Sequence, residues 1–261
     1  MPTRTPLLST RYPHPRDLEI CFDGENHIYT VKESSNYTSV TTWVHSLFPA
    51  FDSDRVITKM MASKKWPHSP YFGQTRQNIK DQWKTTGTDA AVAGTAMHDR
   101  IEQFYNNREI DIDCPELEYF MEFEETIGSQ LTPYRTEWKV WDSDLRVAGT
   151  VDMVFENPDR TLTIYDWKRS KAIKKTNPWE AASVSCISHI PNSNYWHYAF
   201  QLNMYKFILE KNYKKKITGM FLVGLHPNNA NQSFIRLDVP VLDKEMESLI
   251  ELRLQSFSSS K

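Results

Sequence analysis

The amino-acid sequence predicts an α/β fold, in which a mixed central β-sheet is flanked by helices and preceded by an N-terminal helical cap. Two observations predict it. Apolar residues recur at helical spacing from about residue 39 to about residue 128, and the period then changes to two over three consecutive segments. Another helical segment and two more strand-like segments follow. Strands and helices in this order pack as one sheet with helices on its faces.

The chain is predicted to consist of a flexible arm and one domain. Residues 1–16 hold four prolines and three arginines without an acid. Because proline opposes a regular helix, we expect residues 1–17 to form a flexible arm. The remaining residues, 18–261, are enough for one large core, and we expect a single domain. Its predicted parts are a hairpin and helical cap over 18–88, a central core over 89–240 and a C-terminal helix over 241–261.

The N-terminal part of the domain is predicted to be a hairpin followed by short helices. Leu18–Phe22 and His27–Val31 flank a turn-rich tetrapeptide, a pattern typical of a hairpin. Ser39 can cap a first helix, and Ser53 or Asp54 can cap a second.

Residues 71–86 combine aromatic side chains with cations, among them Arg76 and Lys80. This mixture suits the binding of a single-stranded nucleic acid. It is equally typical of an amphipathic helix that packs its aromatic rings. We keep Arg76 and Lys80 as candidate substrate-binding residues.

The predicted core begins with two helices and continues as three strands. The helices cover about 89–107 and Pro115–Gly128, where apolar residues recur every three or four positions. The strands are predicted at Arg135–Trp141, Arg146–Phe155 and Leu162–Lys168. The turns between them are short, so the three strands are expected to form an antiparallel meander.

The last part of the chain returns to a helical pattern before two further strands. A long helix is predicted over about Tyr195–Asn212, after a polar loop. Strands at Ile217–Leu225 and Ser233–Val239 follow, and a final helix begins near Asp243.

Composition limits the class of protein. No run of 18 apolar residues and no secretory leader pattern is present, so we expect a soluble, intracellular protein without a membrane partner. Three cysteines lie far apart without a CxxC pair, so we expect them to be reduced and buried, with no disulfide framework and no zinc or iron–sulfur site. The net charge of −2 gives no general attraction for nucleic acid, and such binding must rest on local basic clusters over 168–175 and 211–216.

Two aspartates interrupt otherwise apolar strands. Alternation puts Leu162, Ile164, Asp166 and Lys168 on one face of the third core strand. A buried carboxylate there needs a partner or a metal ion, although an exposed Asp–Lys ion pair at a strand end is the simpler alternative. Asp152 interrupts the neighbouring strand, so the two carboxylates can converge.

Converging carboxylates favour a hard divalent cation such as Mg²⁺ or Mn²⁺. Glu137, on the first core strand, is either a third catalytic acid or a surface glutamate. His98 is either a hydrogen-bonded core histidine or a ligand that Glu102, one turn later, orients. Gln201 and Tyr205 share a helix face, where they either pack or hold a phosphate or the lysine.

Four short motifs occur in the order and spacing of a known family. Together they resemble the RecB-like branch of the PD-(D/E)XK nucleases, and especially the mitochondrial genome-maintenance exonucleases and related viral or phage exonucleases. The resemblance covers roughly residues 90 to 225. The second motif lacks the Pro-Asp that names the superfamily, and the four cysteines of the iron–sulfur subgroup are absent. The motifs are Gly94-Thr95-x-x-His98, Gly149-Thr150-Val151-Asp152, Asp166-Trp167-Lys168 and Gln201-x-x-x-Tyr205.

The resemblance implies a restriction-endonuclease-like core and a Mg²⁺- or Mn²⁺-dependent deoxyribonuclease, more specifically an exonuclease acting on DNA ends or single strands. It implies that Lys168 is the catalytic lysine and that Gln201 and Tyr205 contact DNA and support the site. From the basic segment we add Arg169 and Lys171 as candidate substrate contacts. The implied metal ligands are His98, Asp152, Asp166 and the backbone carbonyl of Trp167.

Two other functions fit the same residues. One is a nucleic-acid-binding protein that keeps the fold without catalysis. The other is an RNA endonuclease that uses the same site, with RNA instead of DNA as the partner. Protein partners cannot be predicted from the sequence.

Overall fold

The structure, a computed structural model, describes residues 6–258 of the chain. These residues divide into a main unit, which runs to Pro49 and resumes at Met97, and a smaller unit, Ala50–Ala96. We expected a single domain with its core beginning at residue 89. The division was not visible in the sequence because one uninterrupted helix covers residues on both sides of position 96.

The main unit is built on a mixed sheet, as predicted, and the sheet has six strands, because the two-residue strand Thr38–Ser39 joins the five that the sequence predicts. The order is β3-β5-β6-β7-β8, and β4 pairs with β5. Strands β4, β5 and β6 form the expected antiparallel meander, whereas β6 and β7 are parallel. The parallel pair requires a crossover connection, which a helix supplies. The strands are β3 (Thr38–Ser39), β4 (Thr132–Asp142), β5 (Val147–Glu156), β6 (Leu162–Lys168), β7 (Ile217–Gly224) and β8 (Ile235–Asp238).

The predicted hairpin is confirmed as β1 (Ile20–Asp23) paired with β2 (Ile28–Val31). Cys21, expected to be buried, lies exposed on β1. It alternates with the half-buried Ile20 and Phe22, so its side chain faces solvent.

The predicted helices lie within a few residues of their predicted bounds, with one exception, and a short helix at Leu8–Arg11 was not predicted. The helix expected from residue 89 begins at Arg76, because Gly87 and the threonines around it are tolerated inside it. Within residues 6–258, none of the helices is both long and apolar enough to cross a bilayer. The helices are α1 (Leu8–Arg11), α2 (Val40–Ser46), α3 (Ser53–Met61), α4 (Arg76–Tyr105), α5 (Pro115–Thr126), α6 (Asn194–Tyr213) and α7 (Asp243–Ser258).

The sheet separates two apolar cores. Leu162 and Ile164 of β6 pack in the core that contains α6, and Tyr165 and Trp167 pack in the opposite core, with α5 and the last turns of α4. This alternation was predicted from the sequence. It places Asp166 on the α6 face of the sheet.

The N-terminal segment differs from the flexible arm that we expected over residues 1–17. Residues 1–5 lie outside the described part of the chain. Leu8 is buried, and its backbone N–H donates to Asn106 Oδ1 at 2.9 Å. The buried Arg135 donates to the Tyr12 carbonyl and to Asp17, each at 2.8 Å. The segment is ordered because it satisfies a buried guanidinium that would otherwise be costly.

The smaller unit contains α3 and the first part of α4. Asp52, and not the expected Ser53 or Asp54, caps α3 by accepting from the backbone N–H of Arg55. Lys80 Nζ lies 2.7 Å from Asp54 Oδ2, and the Arg76 guanidinium lies 3.5 Å from Asp54 Oδ1. The charges of both candidate substrate contacts are therefore partly compensated within this unit. Their binding of nucleic acid stays a prediction.

Candidate metal centre

Strands β5 and β6 separate at one end of the sheet, and the candidate site lies there. Their pairing covers only Met153–Glu156 of β5 and Leu162–Tyr165 of β6. Beyond this ladder, the Trp167 N–H donates to Asp152 Oδ2 at 2.9 Å. The Asp152 side chain thus takes the place of a backbone acceptor, and it is fixed between the two strands.

Glu137 lies across from Asp152. The register pairs Thr136 with Met153 and Trp138 with Val151, so Glu137 is at the position opposite Asp152. Its φ of 42° is in the left-handed region, which costs a residue with a Cβ on the order of 1–3 kcal/mol. The surrounding strand pairs hold the glutamate in this conformation.

His98, near the C-terminal end of α4, lies between these acids and β6. Its Nδ1 is 3.5 Å from Glu137 Oε1 and 3.6 Å from Asp152 Oδ2, and its Nε2 is 3.0 Å from the Trp167 carbonyl. Burial by itself lowers the pKa of His98, but the two carboxylates outweigh it and raise this pKa to about 9. A protonated imidazole therefore compensates two acids. Glu102, expected to orient His98, is not among these partners.

One ligand atom from each of His98, Glu137 and Asp152 lies within 4.8 Å of the other two. Carboxylate oxygens with one imidazole suit Mg²⁺ or Mn²⁺. The set differs from the predicted one, because Glu137 belongs to it and Asp166 does not. The Trp167 carbonyl, a predicted ligand, accepts a hydrogen bond from His98 in this arrangement.

Asp166 lies beside this group and is almost completely buried, at 1% exposure. Lys168 Nζ is 2.7 Å from Asp166 Oδ2, yet neither carboxylate oxygen has a well-aligned donor among the described residues. Burial raises the pKa of Asp166 to about 7, even with Lys168 opposing it. The pKa of Lys168 is raised, since Asp166 and Asp152 outweigh the effect of its own burial. A buried carboxylate without aligned donors is well suited to a nearby cation.

Tyr205 links the second and fourth motifs. Its ring is 2% exposed, and a Cβ at Gly149 would lie 2.7 Å from its Cε1 atom. Glycine is therefore needed at position 149 for the ring to pack over β5. Gln201 Nε2 donates to the Tyr205 hydroxyl at 3.1 Å, and burial raises the pKa of that phenol well above its usual range. Tyr205 therefore packs on the strand that carries Asp152, and its hydroxyl already accepts a hydrogen bond from Gln201.

Two tyrosines near the site were missed by the sequence reasoning. The Lys168 ammonium lies 4.7 Å from the ring centroid of Tyr198, a cation–π distance. Tyr198 precedes Gln201 by three residues and lies on the same helix face. This spacing could have identified Tyr198 as a residue of the site. Tyr29 contacts Thr150 Oγ1 at 2.9 Å, and burial raises its pKa, with Glu137 adding to the effect. Because Tyr29 comes from the hairpin, no local spacing indicates it.

The two basic candidates after β6 have different surroundings. Arg169 Nε is 2.6 Å from Glu116 Oε1, and both side chains are mostly buried. The arginine charge is thus already compensated, which weakens its predicted role as a phosphate contact. Lys171 is exposed, as a phosphate contact requires.

Comparison with known proteins adds little to this geometry. No protein-family model matches the chain, and no curated protein matches it. A solved structure described as "Crystal structure of SSO0001" is 13% identical, with a TM-score of 0.34; the match covers 85% of this chain and 76% of that one. A likeness this low carries no information about function.

Proposed function

We propose that the chain is a Mg²⁺- or Mn²⁺-dependent nuclease that hydrolyses DNA phosphodiester bonds, acting on DNA ends or single strands. One observation carries the proposal. His98, Glu137 and Asp152 converge within 4.8 Å, next to a buried Asp166 for which residues 6–258 provide no aligned donor. These acids are costly to the fold, and a bound cation would remove that cost.

The residues divide the chemistry between them. His98, Glu137 and Asp152 would hold the cation, with Asp166 adjacent. When bound, a divalent cation neutralises phosphate oxygens and lowers the pKa of a water molecule. The ammonium of Lys168 would orient the attacking water and stabilise the charge that develops on the phosphate.

Lys168 is well placed for this role because its environment keeps it charged and fixed. Asp166 lies on one side of its ammonium at 2.7 Å, and the Tyr198 ring lies 4.7 Å away. Its side chain is 16% exposed, so a substrate phosphate can reach it. A fixed charge in a poorly hydrated site stabilises a developing anion better than a mobile surface lysine does.

A binder without catalysis accounts less well for the same residues. Phosphate binding needs cations, and three acids beside the phosphate would oppose it. An RNA endonuclease would use the same groups. Competition between DNA and RNA of the same sequence separates those two substrates.

The test measures both metal binding and cleavage. Mn²⁺ at about 100 times its Kd should stabilise the wild type by about 2.7 kcal/mol in a thermal unfolding assay. Asp152→Asn should lose most of this stabilisation. End-labelled linear DNA should be cut by the wild type only with the cation, and closed circles should be spared.

Absence of both Mn²⁺-dependent stabilisation and Mn²⁺-dependent cleavage, on DNA and on RNA, would contradict the proposal. Asp144→Asn is the matched control, because Asp144 is an exposed aspartate that pairs with Lys211 away from the centre. It should respond to Mn²⁺ as the wild type does.

A further inference from the structure

We infer that Trp179 is a stacking platform for an unpaired base of the nucleic acid that the metal centre takes as substrate. The inference rests on the proposed function and concerns a part of the chain outside that centre. The Trp179 side chain is 89% exposed, in the loop that connects β6 to α6. A tryptophan ring presents on the order of 150–250 Å² of surface, so a ligand that covers it removes much apolar area from water.

The loop holds the tryptophan in place although the ring itself has few neighbours. The Trp179 N–H donates to Asn177 Oδ1 at 3.0 Å, and Asn177 Nδ2 donates to the Asn192 carbonyl at 2.7 Å. The Asn192 N–H donates to the Glu180 carbonyl, and Ala181 bridges Pro191. The two arms of the loop are thus tied together. A ligand that stacks on Trp179 has little chain entropy to overcome.

A basic segment connects the metal centre to this loop. Residues 168–175 contain five cations and no acid. Lys171, Lys174 and Lys175 are all exposed. Trp179 follows Lys168 by eleven residues, so the two are at most about 40 Å apart. Proteins that bind single strands without reading the sequence place the phosphates along basic side chains and stack the bases on aromatic rings.

The groups beside Trp179 favour a base over a phosphate. A cleft of about 300 Å³ adjoins the ring, and its lining includes Asn177, Glu180 and His189. The Glu180 carboxylate accepts from Asn192 at 3.2 Å, and a carboxylate can accept from the amino group of a base but not from a phosphate. The lysines and the tryptophan together therefore fit a single-stranded polyanion with exposed bases.

The experiment compares Trp179 variants on two probes in EDTA, which chelates the divalent cation that the proposed cleavage requires. The probes are a labelled thymidine oligonucleotide of about 16 nucleotides and an abasic strand of the same length. Trp179→Ala should raise the Kd for the thymidine strand roughly 5- to 150-fold and leave the Kd for the abasic strand unchanged. Trp179→Phe, which keeps a ring, should lie between wild type and alanine. Leu18→Ala, at an equally exposed apolar residue, should match the wild type.

An equal loss on both strands, no loss on either strand, or a wild type that binds neither strand would overturn the inference. A Trp179→Ala variant that keeps its DNA affinity but changes its oligomeric state in sedimentation would also overturn it, in favour of a protein contact. The proposed nuclease function fails separately. A wild type that stacks thymidines but never cleaves with Mn²⁺ would contradict only that function.

Discussion

Two aspartates of the same sheet, Asp142 and Asp166, are each 1% exposed and each lie 2.7 Å from a lysine ammonium, but they have opposite electrostatics. Asp142, at the end of β4, accepts hydrogen bonds from the Leu145 backbone and from Asn212 and Lys211 side chains, at 2.7 to 2.8 Å. Burial by itself would raise its pKa, but these donors outweigh it and lower the pKa.

Asp166 has the lysine but lacks such donors. Neither of its oxygens has an aligned donor within the described part of the chain, and its further neighbour is another acid, Asp152. Its pKa is raised, mainly by burial. One lysine is therefore not enough to stabilise a buried carboxylate. The number of aligned hydrogen-bond donors decides whether the pKa of the carboxyl group is raised or lowered. Asp142 stabilises the end of the sheet, and Asp166 lies beside the candidate metal centre.

The largest expected effect is on catalysis. Asp166→Asn should lower the rate of Mn²⁺-dependent DNA cleavage by roughly 10²- to 10⁴-fold, because it removes a charge beside the cation and the partner of Lys168. Asp142→Asn should cleave at close to the wild-type rate. Initial rates on end-labelled linear DNA measure both. Near-normal cleavage by Asp166→Asn would place the chemistry elsewhere.

The next largest effect is on the free energy of unfolding. Here Asp142→Asn should be the more strongly affected variant, whereas Asp166→Asn is the more strongly affected in catalysis. In EDTA, Asp142→Asn should lose about 2–3 kcal/mol, because it breaks a buried charge with three satisfied hydrogen bonds. Asp166→Asn should stay within about 1 kcal/mol of the wild type or exceed it, since it removes a carboxylate without aligned donors. Urea unfolding measures the difference, provided that the slopes are unchanged. Equal losses in both variants would remove the distinction.

The smallest effect is the slope of stability with pH in metal-free solution. The pKa of Asp166 rises from 3.8 to about 7 on folding, so its contribution is favourable at low pH and is lost as the pH rises through about 7. Asp142 has a lowered pKa, so its contribution is present above pH 3.8 and is lost as the pH falls below that value. Asp166→Asn should flatten the neutral side of the curve, and Asp142→Asn the acid side. The opposite assignment of slopes would contradict the electrostatics.

The sheet and the positions of its acids could be predicted because strand alternation is a local property. The bounds of β6 match the prediction, since Leu162, Ile164, Tyr165 and Trp167 alternate between two cores. The place of Asp166 on an apolar face followed from the same alternation. Its lack of aligned donors could not be predicted, because that depends on which side chains of other elements reach it.

The remaining parts of the site depend on tertiary packing. His98 contacts the Trp167 carbonyl although the two residues are 69 positions apart in the sequence. Only the resemblance of the motifs to a known family indicated that they lie together. Glu137 was a candidate third acid from its place on the first core strand, but its left-handed backbone gave no signal, because that conformation is recognisable within a strand only where glycine or asparagine occurs. The division at residue 96 was hidden because the periodicity of α4 continues through it.

The left-handed backbone at Glu137 also bears on how this protein can be engineered. Glycine would adopt that conformation at lower cost, so a search for thermostable variants would favour it at position 137. Replacing Glu137 by glycine would also remove one of the three ligand groups of the candidate metal centre. Selection for thermal stability and selection for metal binding therefore act in opposite directions at this residue. A thermostable variant of the protein should first be tested for loss of metal affinity.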